Sequence, residues 1–388
     1  MELMEKIYTP TQMLAKLVGF NTESHRSNLD LIEFVEAYLA EHGVQATRVP
    51  DETNEKAALY AHIGPLVENG VVLSGHTDVV PVEGQDWRTD PYVLTAQDGK
   101  LFGRGTCDMK GFLAICLAAV PEMLAAPLNR PIQLALSYDE EVGCIGAPPM
   151  IAAMGGHLPR ANSAIIGEPT EMKVVTGHKA ITDMSTAVRG FEMHSSLMDR
   201  SVSAVMAAAE LVQWCSDRVR ENAGSPDPDS PYDPPFTTLH VGQITGGTAH
   251  NITARDCRFT TDIRAIPRED IHDWITRFKD AAQALETRLQ TIRPEAAVTV
   301  TVRNTVPGCR PENDGPAEAL ARAITGDNGQ HVVSYATEAG QFQDAGYSAA
   351  ICGPGSIEQA HQPNEFIKVS ELEAGRSFIS RLIERMSA

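Results

Sequence analysis

The feature that most constrains this chain is a series of short apolar runs bounded by turn residues: Ala57 to His62, Val71 to Ser74, Ile132 to Ser137 and Ala164 to Ile166. They alternate with apolar helical stretches such as Gly111 to Leu124. That alternation predicts an α/β layer built on a largely parallel sheet. Ahead of it, Thr9, Pro10 and Gln12 form a capping signal for a first helix carrying Met13, Leu14, Leu17 and Val18. A second helix is expected from a cap near Ser27 to a stop at Gly43.

Past Gly177 the texture changes. Ile181 to Arg189 alternates like a half-exposed strand, and a helix from about Ser201 to Arg220 follows. Glu221 to Pro235 is a Pro/Asp-rich loop. Two more strand-like runs, Thr237 to Gln243 and Cys257 to Arg264, lead into a charged helix from Pro267 to about Gln290. Strand, helix, strand, strand, helix is the order of an inserted α+β sandwich. The α/β texture resumes near Val298, so the expected organisation is a discontinuous first domain, 1–179 and 292–388, with an inserted domain over 180–291. A length of 388 residues leaves room for two to three domains.

Charge narrows the partners. Lys and Arg number 32 against 51 Asp and Glu, a formal charge of −19 that repels polyphosphates and anionic lipid. No nucleic-acid or membrane partner is expected. Seven cysteines, odd in number and without a Cys-x-x-Cys pair, suit a reducing compartment. The opening segment has no secretory pattern and no apolar run is long enough to span a bilayer, so the reading is cytoplasmic. Gly103-Arg-Gly105 lacks the third glycine and the Lys-Ser/Thr of nucleotide loops, which argues against ATP and dinucleotide chemistry.

The chemistry gathers where the apolar runs end. His76 and Asp78 close one run, Asp139-Glu140-Glu141 another, Glu168 a third, and Asp108 lies in the loop Gly103-Arg-Gly-Thr-Cys-Asp-Met-Lys-Gly. Carboxyl ends of parallel strands share one edge, where ligands bind. His361 follows a further apolar run, Ala349 to Cys352, and its glycine-rich turn. Two histidines with several carboxylates form a borderline-hard set suited to Zn²⁺, Co²⁺ or Mn²⁺. The carboxylates are too many for one zinc, and a pair of ions sharing one carboxylate would neutralise them. Of Glu140 and Glu141, one can ligate while the other stays free as general base. Cys107 has no evident His base and is not read as a nucleophile.

The blocks His76-Thr-Asp78-Val-Val-Pro, Gly-Arg-Gly-Thr-Cys-Asp108-Met-Lys-Gly, Asp139-Glu140-Glu141, Gly-Glu168-Pro-Thr, Gly-Phe-Glu-Met-His194-Ser-Ser, Asn251-Ile, Asp262-Ile-Arg264 and His361-Gln-Pro-Asn-Glu365 together resemble the dinuclear zinc aminoacylase and deacylase family. The resemblance spans about residues 8 to 385. Among its members, which include desuccinylases of diaminopimelate and glutamate-type carboxypeptidases, the stretch around Gly-Gln-Asp-Trp and the Thr-Glu338-Ala-Gly and Cys-Gly-Pro-Gly-Ser segments look most like the acetylornithine deacetylases.

The resemblance implies a two-metal amidohydrolase that removes an acyl group, by best match acetyl, from an N-acyl amino acid such as N2-acetyl-L-ornithine, a step of arginine biosynthesis. Deacylation of another diamino acid, acetyl-diaminobutyrate or succinyl-diaminopimelate, is the alternative. A non-catalytic metal-binding relative is the alternative of another class, and it predicts a lost ligand or a lost free glutamate. One ion is implied at His76, Asp108 and Glu168, the other at Asp108, Glu141 and His361. Asp78 would orient His76, Glu140 would carry the proton, and His194 would stabilise the oxyanion, in this family often from the partner of a homodimer. Arg264, Asn251 and Thr337 are the expected substrate contacts, the guanidinium meeting a carboxylate. Arg264 also has Asp262 and Asp256 nearby in sequence as ordinary ion-pair partners, and after His194-Ser-Ser the chain departs from its relatives, reading Leu-Met-Asp-Arg-Ser-Val-Ser-Ala.

Overall fold

The computed structural model describes residues 7–388, so the first six residues of the segment expected to open the catalytic domain lie outside it. The described chain forms two compact units: residues 7–177 with Cys309–His331 and Thr337–Ala388, and His178–Gly308 with Val332–Ala336.

The first unit is built on a mixed sheet in which Ala46–Pro50, Ala57–Ile63, Ile132–Ser137, Val71–His76, Ser163–Pro169 and Ser348–Gly353 lie side by side in that order. The four central neighbours run parallel; beside them Ala57–Ile63 runs antiparallel to Ile132–Ser137, and Ala46–Pro50 pairs antiparallel with Ala57–Ile63. Every residue of the three strands Val71–His76, Ile132–Ser137 and Ser348–Gly353 is buried, which explains why they read as unbroken apolar runs. Helices pack on this sheet through one continuous core that includes Met13, Leu17, Leu73, Phe112, Leu134, Ile165 and Phe378. Thr9 and Gln12 close the expected capping box on Pro10–Val18. The second helix, Leu29–Glu41, has its N-cap at Asn28, one residue past the expected cap: Ser27 Oγ accepts the Leu29 N–H, while the Asn28 side chain is spent on Ala57 and Thr77. The stretch Gly111 to Leu124 divides into Lys110–Ala118 and Val120–Ala125, because Pro121 has no N–H to continue the first helix.

Two glycines set how closely a helix approaches the sheet. A Cβ on Gly75 would lie 2.5 Å from Met109 Cε, and one on Gly167 would lie 2.0 Å from the Phe112 ring. Gly75 precedes His76 and Gly167 precedes Glu168. The absent side chains therefore let the helix that follows Asp108 pack directly beneath two strand ends.

The second unit is a four-stranded antiparallel sheet in the spatial order Thr238–Gly246, Asp256–Ala265, Ala180–Arg189, Ala297–Val306. Helices Ala204–Gly224 and Ile271–Gln290 cover it through Leu211, Trp274, Phe278 and Leu285. Ala297–Val306 corrects the boundary expected at residue 291. It pairs with Ala180–Arg189 along nearly its full length, so this unit runs to Gly308. The alternating Val298, Val300 and Val302 face the helices of this unit and not the parallel sheet, a choice that local pattern does not make.

Candidate active site

Strand register brings the polar residues of the first unit together. Val71–His76 and Ile132–Ser137 are parallel with His76 opposite Ser137, so the chain segments that follow, Thr77-Asp78 and Asp139-Glu140-Glu141, leave the sheet at the same edge. Glu168 ends the next strand and Gly353 the one beyond it, the latter leading into the turn before His361.

At the centre lies Asp108. Its Oδ1 is 3.0 Å from His76 Nε2, and its Oδ2 is 3.4 Å from His361 Nε2. Glu168 Oε1 stands 3.8 Å from His76 Nε2, and Glu141 Oε2 stands 2.9 Å from His361 Nε2. The donors form two groups, His76 with Asp108 and Glu168, and Asp108 with Glu141 and His361, and Asp108 belongs to both. His361 adopts a left-handed backbone, φ 62°, at the apex of its turn.

The electrostatics of this cluster are those of crowded anions. Burial and the neighbouring carboxylates raise Glu168 and Glu140 well above the ordinary carboxylate range, against the pull of His76, and burial with the Asp108 charge brings Glu141 to about 7. Burial alone would depress His76, but hydrogen bonds to Asp108 and Asp78 hold it well above its usual value. Hydrogen bonds to Asp108 and Glu141 raise His361 to about 10. Asp108 itself is driven low, burial being outweighed by the two histidines. Glu141 Oε1 and Glu168 Oε1 are buried without a hydrogen-bond partner. Buried carboxylate oxygens left bare are costly unless a cation meets them. Nitrogen and oxygen donors in two groups of three therefore fit a pair of borderline divalent ions.

Glu140 stands in neither group. Its Oε1 accepts the Cys144 thiol at 3.4 Å, and its backbone N–H donates to Asp78 Oδ1 at 3.1 Å. Asp78 Oδ2 accepts Ser24 Oγ at 2.8 Å and the Glu141 N–H at 3.3 Å. His76 Nδ1 is 2.9 Å from the Asp78 backbone oxygen and 3.5 Å from its carboxylate. Asp78 thus orients the imidazole chiefly through its main chain, while its carboxylate fixes the backbone of the glutamate pair.

Two buried carboxylates escaped the sequence reading as site components. Glu365 accepts the backbone N–H groups of Gly105, Cys107 and Asp108 at 3.0, 2.8 and 3.1 Å, and pairs with Arg104 at 2.8 Å. It holds the Asp108 loop in shape from four residues after His361. Glu338 Oε2 accepts Ser74 Oγ at 2.9 Å, and its other oxygen accepts Ser137 Oγ. A glutamate four residues past a candidate ligand histidine was the available signal for Glu365; nothing in the local pattern marks Glu338 as buried.

The second unit carries His194, Asn251 and Arg264. His194 is exposed, with Nδ1 2.9 Å from Ser196 Oγ, and the Asn251 carbonyl accepts the Ser195 N–H at 2.9 Å. These two segments are neighbours. Arg264 donates to Asp262 at 3.2 Å and to the Ser334 carbonyl at 3.2 Å, the ordinary pairing that its sequence neighbourhood allowed. Thr337 is fully buried, and its hydroxyl accepts the Ala339 N–H at 3.1 Å at the start of a short helix.

Comparison with known proteins agrees with this architecture. The model of peptidase family M20/M25/M40 matches residues 72–385. An acetylornithine deacetylase of Myxococcus xanthus is 35% identical over 378 residues, which are 95% of this chain and 95% of that protein. An M20 family metallo-carboxypeptidase from Sulfolobus solfataricus superposes with a TM-score of 0.75 at 16% identity, covering 98% of this chain and 100% of that one. A dinuclear metal-binding peptidase of the same family from Bacillus subtilis gives 0.63 at 12% identity, over 96% and 97% of the two chains. At these identities the structural likeness is one of fold.

Proposed function

This chain belongs to peptidase family M20/M25/M40 and is a hydrolase, and we propose from that premise that it cleaves the acetyl group from N2-acetyl-L-ornithine, giving L-ornithine and acetate. The observation that carries the reading is a cluster of four donors closing around a shared Asp108 with Glu140 left outside both groups, in a chain 35% identical along 95% of its length to an acetylornithine deacetylase.

His76, Asp108 and Glu168 would hold one divalent ion, and Asp108, Glu141 and His361 the other, zinc by donor chemistry with cobalt or manganese as substitutes. Bound there, the ions supply Lewis acidity toward the amide carbonyl and make water a nucleophile at neutral pH. Glu140 takes the proton of the attacking water and delivers it to the departing amine nitrogen. Asp78 keeps Glu140 and His76 in register through the hydrogen bonds described above. His194 stabilises the oxyanion and Arg264 and Asn251 receive the substrate carboxylate, assignments that extend the family resemblance to the second unit. The reading carries a homodimer and a cytoplasmic setting in amino-acid biosynthesis. Among the described residues no helix is long and apolar enough to cross a membrane.

The test is amine release from a panel of N-acyl amino acids by the purified protein supplied in turn with zinc, cobalt and manganese. The reading expects N2-acetyl-L-ornithine to give the highest kcat/KM. Preference for acetyl-diaminobutyrate, succinyl-diaminopimelate or a dipeptide would move the assignment within the family, and no release from any member would overturn it.

A further inference from the structure

The Gly-Gln-Asp-Trp segment, singled out in the sequence only as a resemblance, lies in the structure as a clamp between two loops that carry metal-ligand candidates. The Gln85 side-chain amide donates through Nε2 to the backbone carbonyl of His361 at 3.0 Å. Its Oε1 accepts Trp87 Nε1 at 3.1 Å and also an Nη2 hydrogen of Arg104. Two obligate donors converge on one amide oxygen, which fixes the amide orientation and leaves the NH₂ facing the His361 carbonyl. Arg104 is fully buried, lies 5.1 Å over the Trp87 ring, and pairs with Glu365, which in turn accepts the Asp108 N–H. Nearby, Asn364 exchanges hydrogen bonds with the 86–88 segment, accepting Arg88 N–H at 2.8 Å and donating to the Asp86 carbonyl at 3.1 Å.

The asymmetry matters. His76 is buried and Glu168 is a strand residue, so their group stands on the sheet. His361 has a side chain 53% exposed and a left-handed backbone, and its residue belongs to neither a helix nor a strand. Its backbone carbonyl is held by Gln85. We propose that Gln85 is a positioning residue that sets the affinity of the metal ion held by Asp108, Glu141 and His361, without affecting the ion held by His76, Asp108 and Glu168. The inference rests on the two-ion reading above.

The experiment is equilibrium titration of the metal-stripped full chain with Zn²⁺ in competition with a chelator, comparing the unsubstituted protein with Gln85→Ala, Gln85→Glu and His361→Ala. His361→Ala defines the titration in which only the His76 group remains. Gln85→Glu keeps an acceptor for Arg104 and Trp87 but sets carboxylate lone pairs against the His361 carbonyl. Both Gln85 variants are expected to bind the first ion as tightly as the unsubstituted protein and the second about 10–100-fold more weakly. The retained first ion also reports that the variants are folded. Unchanged affinity for the second ion in either variant, or equal weakening of both ions, overturns the proposal. Should the unsubstituted protein bind fewer than two ions, the two-ion reading itself fails and takes this inference with it.

Discussion

The carboxylate of Asp78 accepts the backbone N–H of Glu140 at 3.1 Å. The same residue offers its main-chain oxygen to His76 Nδ1 at 2.9 Å, so one position aligns a candidate ligand and the candidate proton carrier together. Asp78→Ala removes the carboxylate half of that alignment. It is expected to lower kcat by about 10–100-fold, the range seen when residues supporting a metal site are lost, measured by steady-state amine release at saturating metal. Unchanged kcat would show that the glutamate pair holds its place without Asp78.

Glu140→Gln separates the proton carrier from the ligands. Because Glu140 is outside both donor groups, the variant should retain both ions by elemental analysis while kcat falls by about 10²–10⁴-fold. Loss of an ion would instead make Glu140 a ligand.

Metal uptake should release protons. Glu141 is raised to about 7 by burial and the Asp108 charge, and His361 to about 10 by its hydrogen bonds to Asp108 and Glu141. An ion requires both groups deprotonated, so affinity rises with pH, first as Glu141 loses its proton and further toward the His361 value. Calorimetric titration at pH 7.5 in buffers of different ionisation enthalpy reads this directly, and heats independent of buffer would contradict it.

Alkaline stability gives a test remote from the ions. Burial pushes the Tyr38 hydroxyl, which donates to the Leu117 carbonyl at 3.1 Å, up to about 12. The unfolded tyrosine ionises near pH 10. Between those values the folded state holds the proton that the unfolded state has lost, so this residue's stabilisation is complete below about pH 10 and declines as pH rises toward 12. Tyr38→Phe should flatten that part of the Tm-against-pH curve; an unchanged slope would assign the loss to other groups.

Gly167→Ala tests the close approach beneath Glu168. A methyl there meets the Phe112 ring at 2.0 Å, so the ring or the strand must move. Overpacking of this kind costs about 1–3 kcal/mol, to be read from urea denaturation. Stability equal to the parent would mean that the helix shifts at no expense.

Much of this was legible in the residues themselves because burial on both faces turns a parallel strand into an unbroken apolar run, and His76, Glu141 and Glu168 stand at or just beyond the ends of such runs. The shared sheet edge follows from that alone, whereas the place of Asp108, a loop residue, in both donor groups came from the family resemblance. What was not legible depends on partners far away in the chain. Ala297–Val306 alternates as either kind of strand would, and only its pairing with Ala180–Arg189 assigns it to the second unit. Thr337 reads as a polar residue beside a motif, and only packing shows its hydroxyl turned inward. Glu365 and Gln85 act on backbone groups of other segments, and no spacing rule reveals a side chain whose partner is a peptide N–H or carbonyl about 260 or 276 residues distant.

The parallel pairing of Ser348–Gly353 with Ser163–Pro169 joins segments separated by 185 positions. His361, the last of the five candidate ligands in chain order, lies beyond that late strand, so a product terminated before residue 361 would lack one of the two histidine donors altogether.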